Sequence, residues 1–261
     1  SGTAEDPYRI GTAEELAALG EKVAKGNPYT DVTFVLTANI DLSDYPDWKP
    51  IGKDSAQFDG IFDGRGYAID NLYSKNGGLF GTVCANAVIR NVGVASGQIG
   101  SENLSFMGAI AKWSNGADFI NCWNGADILC SGWSGGIVGT VRDGGESVIK
   151  GCYNIGSVTA RDGAVGGIVG HLAAGNNGTA VAVTVSDCYN AGTVTELTLF
   201  DRFNLTVEDG QFVSIVGSNG SGKTSLLNIL CGSIPLDGGD VLVNGKSIRK
   251  QKDFQRYATI G

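Results

Sequence analysis

At 261 residues the chain has room for one or two domains with cores of their own, and 42% hydrophobic with 18% charged residues excludes a disordered polymer. No apolar run reaches membrane-spanning length, and the opening Ser1-Gly-Thr-Ala-Glu-Asp6 has neither the basic start nor the apolar stretch of a signal peptide. Charge is unevenly placed: residues 1–195 hold 12 Lys and Arg against 20 Asp and Glu, and residues 196–261 hold 7 of each, so the acidic first part argues against nucleic acid as a partner.

The spacing predicts an amphipathic helix over Gly11–Lys25. Thr12 can cap it, Glu15 three residues on makes a capping box, and Leu16, Leu19 and Val23 share one face. Val32–Ile40 reads as a strand, and 48–52 and 58–67 as turn-rich links. An internal repeat then follows. Its first marker is glycine, two apolar residues, glycine, at Gly78–Gly81, Gly136–Gly139 and Gly167–Gly170. A degenerate copy at Gly108–Ala111 fills the gap, so the starting glycines stand 30, 28 and 31 residues apart. The second marker centres on Val92, Cys122, Cys152 and Cys188, which are 30, 30 and 36 apart; the polar insert 173–179 accounts for the longer interval. No cysteine pair has C-x2-C spacing and the only histidine is His171, which excludes a zinc pattern; the three repeat cysteines read as an inward ladder of small side chains. A near-constant period of short β-type runs, in a chain with 41 glycines and 5 prolines, predicts coils stacked at about 4.8 Å. Asn124, Asn154 and Asn190 would bond to one another at a bend, and the helix would close the first end of the stack.

These markers, together with Pro7–Leu16, Trp48–Gly52 and Phe62–Leu72, resemble the GLUG-repeat family over residues 1–195. The resemblance implies a mainly β fold, a right-handed parallel β-helix or solenoid with an N-terminal capping helix at 11–25. It also implies a bacterial cell-surface or secreted protein that adheres to a surface glycan or protein. It carries over no site residues.

At Thr193–Leu197 the repeat stops without a linker. A turn at Glu208–Gly210 and a buried-type strand over Gln211–Val216 follow. Next, Gly217, Ser218, Asn219, Gly220, Ser221, Gly222, Lys223 and Thr224 match the phosphate-loop pattern, and Ser225–Cys231 continue as a helix. Glycines let backbone N–H groups curl around a triphosphate, and the helix aims its positive end at it. Lys223 would reach the β- and γ-phosphates, Thr224 would hold Mg²⁺ through its hydroxyl, and Ser225 beside it completes the binding set.

Residues Leu205–Gly232 and Pro235–Lys246 resemble the start of an ABC transporter nucleotide-binding domain. The resemblance implies a partial α/β P-loop NTPase segment over 196–261, ATP and Mg²⁺ as cofactors, and ABC transmembrane subunits as partners. The sequence ends at Gly261, ahead of the family's glutamine loop, signature, Walker B aspartate, catalytic glutamate and switch histidine. The expectation is therefore no hydrolysis by this chain alone. The family's adenine-stacking aromatic falls before the junction, and Phe200 and Phe203 read as core residues.

The two resemblances point to different compartments, the cell exterior and the cytoplasm, and the expectation is a chimaera truncated at both ends. The resulting reading is an ATP-binding fragment fused to a surface-type β-helix. The alternative is a non-enzymatic adhesion or carbohydrate-binding β-helix with an incidental tail. A β-helical carbohydrate-active enzyme would use Asp59, Asp63 and Asp70, but these read as turn-forming residues, and His171 reads as a surface turn residue rather than a base. Arg249, Lys250 and Lys252 read as a solvated face.

Overall fold

The β-branched and aromatic runs between the glycine- and asparagine-rich links form short strands, each hydrogen-bonded in parallel to its counterpart one coil away. The computed structural model describes residues 1–142, 146–161, 163–173, 181–196, 205–207, 214, 223–230, 239–243 and 245–247. They belong to two units, Ser1–Thr198 and Leu199–Gly261. Among the described residues of the first unit, the strands build parallel stacks of seven, six, five, four and three, the walls of a mainly β solenoid.

Register explains the core. In the seven-stranded stack Phe34, Phe62, Ile89, Phe119 and Ile149 are successive partners, and all are buried. Each such side chain removed from water contributes roughly 1.5–3 kcal/mol, but only the stack provides neighbours on both sides. The corner into the six-stranded stack is a single residue: Asn91, Asn121, Gly151 and Asp187 adopt φ of +53°, +52°, +65° and +55°. Those residue types tolerate the left-handed region.

The next inward position is the cysteine ladder. Cys122 N–H donates to Cys152 Sγ and Cys152 N–H to Cys188 Sγ, both at 3.4 Å, and all three thiols are free. Burial pushes the Cys122 thiol well above its ordinary range. Two residues on, Ile40, Ile69 and Val94 give way to Asn124, Asn154 and Asn190 in the same register. Asn124 Nδ2 donates to Asn154 Oδ1 at 2.8 Å, and Asn154 Nδ2 to Asn190 Oδ1 at 2.7 Å. The expected bonding is present, but the ladder points into the core, and the unusual backbone angles belong to the corner residues before the cysteines.

The helix spans Ala13–Ala24. Thr12 Oγ1 accepts the Glu15 N–H, and Glu15 Oε2 accepts the Gly11 N–H at 2.7 Å, so the reciprocal half of the capping box lands one residue early. Leu16, Leu19 and Val23 are buried in the solenoid core.

Several boundaries differ from the sequence reading. Val32–Ile40 is two strands, Thr33–Leu36 and Ile40–Asp41, because the chain turns a corner between two stacks. The link 58–67 contains the strand Ile61–Asp63. The degenerate copy is shifted: Ala111 pairs with Phe80 and Val138, so the frame is Ala109–Lys112 and Lys112 stands where the other copies have their second glycine. His171 lies in the strand Val169–Leu172 rather than in a turn. Residues 174–180, most of the polar insert, lie outside the described residues.

In the second unit the helix is Lys223–Leu230, and Leu242–Val243 pairs antiparallel with Lys246–Ser247. The expected strand Gln211–Val216 lies outside the described residues except for Ser214, as do Phe200, Phe203, Arg249, Lys250 and Lys252. Among the described residues no helix is long and apolar enough to cross a membrane.

Candidate functional site

Of the phosphate-loop residues, Gly217, Ser218, Asn219, Gly220, Ser221 and Gly222 lie outside the described residues. Lys223 is the first residue of the helix Lys223–Leu230; Thr224, exposed, and Ser225 follow it in the first turn. That turn has backbone N–H groups with no intrahelical partner and the positive end of the helix dipole. Leu226 turns inward and is buried, while Leu227 is half exposed. Asp240 organises the antiparallel pair, accepting the Val241 N–H at 2.9 Å and the Ser247 hydroxyl at 2.8 Å.

The three solenoid acids are tied into structural bonds. Asp59, buried, accepts Thr30 Oγ1 at 2.7 Å and the Asn86 backbone and side-chain N–H groups at 3.1 Å. Asp70 accepts Ser96 Oγ at 3.3 Å. Asp63 accepts the Arg65 N–H, Asn91 Nδ2 and Arg90 Nε at 2.9, 3.0 and 2.9 Å. Burial pushes the Asp63 carboxyl up, but Asn91, the Arg65 N–H and the Arg90 guanidinium outweigh it and hold it below its usual range. Asp59 and Asp63, with three such bonds each, are poorly placed to donate or abstract a proton. No group of three or more His, Cys, Asp or Glu that could hold a metal occurs among the described residues.

Asp63 also borders an open cavity of about 480 Å³, lined by Asp63, Arg65, Gly66, Asn91, Asn121 and Trp123. Polar groups continue up this corner, where Asn121 Nδ2 donates to Asn91 Oδ1 at 3.1 Å. Beside it runs an outward aromatic ladder. Trp123 and Tyr153 stack with centroids 5.9 Å apart and planes 4° from parallel, and Tyr153 and Tyr189 at 5.1 Å and 3°. One rung below Trp123 the ladder has Gly93, and a Cβ there would lie 1.9 Å from the indole. Only glycine allows the ring to fold down at that rung. The signal was present in the sequence: the residue after the centre of the second marker is aromatic in three of the four copies.

A second aromatic group lies elsewhere on the solenoid. Phe106 packs on Trp113 and Trp133, His171 tilts against Trp133 at 5.3 Å, and Arg142 Cζ sits 3.9 Å above Trp113. His171 has no acidic partner among these contacts.

Comparison with known proteins divides the chain in the same place. Residues 200–260 match the family model described as ABC transporter. The tyrosine transport ATP-binding protein of Clostridioides difficile is 41% identical over 59 residues, 23% of this chain and 24% of that protein. The thiamine import ATP-binding protein of Vibrio parahaemolyticus is 46% identical over 55 residues, 21% and 24% of the two chains. A protein of Evansella cellulosilytica, provisionally described as a Gly-rich membrane protein, is 32% identical over 111 residues, 39% of this chain and 12% of that one. Among solved structures, one from Bacteroides ovatus, provisionally described as an immunoglobulin A1 protease, superposes over 82% of this chain and 83% of its own with a TM-score of 0.51. At 21% identity that likeness shows the fold alone. The chain spans about a quarter of the length of the ATP-binding relatives it matches, and its segment 200–260 is similar to part of an ABC-type ATP-binding domain.

Proposed function

We propose that residues 217–225 form a phosphate grip for ATP and Mg²⁺, carried by a fragment that does not turn ATP over by itself. The observation behind this reading is the family match over 200–260, with Lys223 and Thr224 opening a helix inside it. Lys223 would neutralise the β- and γ-phosphates and Thr224 would give its hydroxyl to Mg²⁺. A second acid for the metal and a group to position water are further requirements of hydrolysis, and the reading assigns neither to these nine residues. ABC transmembrane subunits are the partners that such a segment would serve. Titration of the full chain with MgATP tests the grip: saturable binding lost in Lys223→Ala supports it, and no binding at millimolar ATP removes it.

For the solenoid the reading is a non-enzymatic surface module that binds a glycan or a protein, with right-handed coils and the helix Ala13–Ala24 as its first cap. What favours binding over catalysis is that Asp59, Asp63 and Asp70 accept hydrogen bonds from neighbouring coils, the last two as the closing residues of the strands Ile61–Asp63 and Ala68–Asp70 rather than in turns. On this reading the solenoid works outside the cell and the phosphate grip inside it, which makes the joined chain a chimaera.

A further inference from the structure

The last coil of the solenoid differs from the coils before it in what covers it. Leu172, Val185 and Val194 stand in register with Val141, Ile149 and Val158 one coil earlier. Those three are fully buried, whereas Leu172, Val185 and Val194 are 54%, 52% and 40% exposed. The inward face therefore reaches water at this end, while the other end carries the helix Ala13–Ala24 with Leu16, Leu19 and Val23 in the core. The strands Val169–Leu172, Ala182–Ser186, Tyr189–Asn190 and Val194–Glu196 are each the last of their stacks, so among the described residues one edge of each has no strand beside it.

Ala182-Val-Thr-Val-Ser186 is the longest of these edges. Its Ser186 carbonyl accepts the Gly151 N–H at 3.0 Å and so faces the coil before. Backbone groups alternate in direction along a strand, so Thr184 and Ala182 face the same way and the N–H and C=O groups of Val183 and Val185 face the free edge. The same two valines take inward positions: Val185 is the partner of Ile149, and Val183 packs against the core. Thr184 between them is exposed on the outer face. Free edges are normally guarded by a charge, a proline or a bulge. The strand at the other end of the same sheet, Tyr8-Arg-Ile10, has the exposed Arg9, and Ala182–Ser186 has neither charge nor proline.

We propose that this end is an interface between two copies of the chain, joined tail to tail by antiparallel pairing of Ala182–Ser186 with its counterpart about a two-fold axis at Thr184. The sequence Ala-Val-Thr-Val-Ser reads nearly the same from either end, which is what a two-fold contact requires. With Thr184 opposite Thr184, Val183 lies opposite Val185 of the second copy, and the two exchange N–H to C=O bonds. Two such pairs use every free backbone group of both valines and bring their half-covered side chains together on one face. Ala182 meets Ser186 and Thr184 meets its own copy, so no like charges oppose each other. Any other register shortens the overlap. The contact continues the seven-stranded stack across the axis. Head-to-tail stacking would instead bring the open end to the strand that carries Arg9 and to the end closed by the helix. A peptide from another protein would find no charge on the strand to select it, whereas a second copy supplies the matching pattern itself.

Sedimentation velocity of the full chain over a range of concentrations tests the contact. One strand pair with a few apolar side chains makes a modest interface, so the expected result is a reversible monomer–dimer equilibrium with a Kd of about 10 μM. Val185→Lys puts a charge on the open end and should weaken the dimer at least about tenfold, with circular dichroism confirming the fold. Cross-linking fixes the register independently of that variant. Residues opposite one another at a non-hydrogen-bonded position have Cα atoms about 4.5 Å apart, within disulfide reach. Thr184→Cys should therefore give a covalent dimer with oxidised glutathione. Ala182→Cys alone should give none beyond the unsubstituted chain, and an equal mixture of Ala182→Cys and Ser186→Cys should give one. A monomer at every concentration, a dimer unchanged by Val185→Lys, open-ended polymers, or Ala182→Cys cross-linking as readily as Thr184→Cys would each overturn the proposal.

Discussion

An asparagine side chain removed from water is tolerated only when its amide is matched, and Asn154 is matched on three sides. It accepts Asn124 Nδ2, donates to Asn190 Oδ1, and donates to the Gly156 carbonyl at 2.9 Å. Asn154→Ala leaves polar atoms on both neighbouring rungs without partners and opens a small void. We expect a loss of about 2 kcal/mol, measured as a lower urea midpoint with an unchanged slope. Asn190→Ala, on the exposed last rung, should cost about 0.5 kcal/mol or less; equal losses at the two positions would contradict the ladder as the cause. The period of the second marker made this ladder legible in the sequence. Its direction was not, because a repeat gives spacing and not the face of the strand, and Asn in a glycine-rich stretch suits a bend as well as a core. The left-handed angles sit instead at Asn91, Asn121 and Asp187, where a one-residue corner demands them.

At the scale of elements, the helix Ala13–Ala24 was the easiest to read, since its cap, its acidic first turn and its apolar face coincide. Thr12→Ala removes the bond from the Glu15 N–H and should cost about 1 kcal/mol in denaturant unfolding. A change below about 0.3 kcal/mol would mean that Glu15 and Gly11 hold the turn without it. Strands were harder. Two- and three-residue strands such as Ile40–Asp41 and Ala68–Asp70 carry too few positions for an alternation to register, and only pairing with neighbouring coils defines them. The same pairing moved the degenerate marker to Ala109–Lys112. The aromatic ladder is not legible from the period alone, because the repeat fixes spacing and not the face, and the residue beside each cysteine points outward, with Trp123 lining the corner cavity. The likeness of the last segment to ABC transporters was legible from motif, because the pattern fixes Gly217, Gly222, Lys223 and Thr224 at set spacing, and the family model matches residues 200–260 around them.

At the scale of the molecule, among the described residues the solenoid's core cluster draws on those between Ile10 and Cys188, all within Ser1–Thr198. A chain ending at Thr198 should therefore keep the β circular dichroism and the thermal midpoint of the full chain. A fall in midpoint of more than about 5 °C would show that residues 199–261 carry part of the solenoid's stability. The bonds between coils also bear on how such a molecule changes over generations. The step from Cys122 to Cys152 spans 30 residues and the step to Cys188 spans 36, yet both close with the same 3.4 Å N–H to sulfur contact. The longer interval holds its extra residues between the strands Val169–Leu172 and Ala182–Ser186, and the pairing on the next coil keeps its register. One whole coil is thus the smallest unit of sequence that can be copied or deleted while every ladder stays in step. A tandem duplication of about 30 codons would lengthen the molecule by about 4.8 Å and need no compensating substitution, whereas a single codon inserted within a strand would turn its inward residues to solvent.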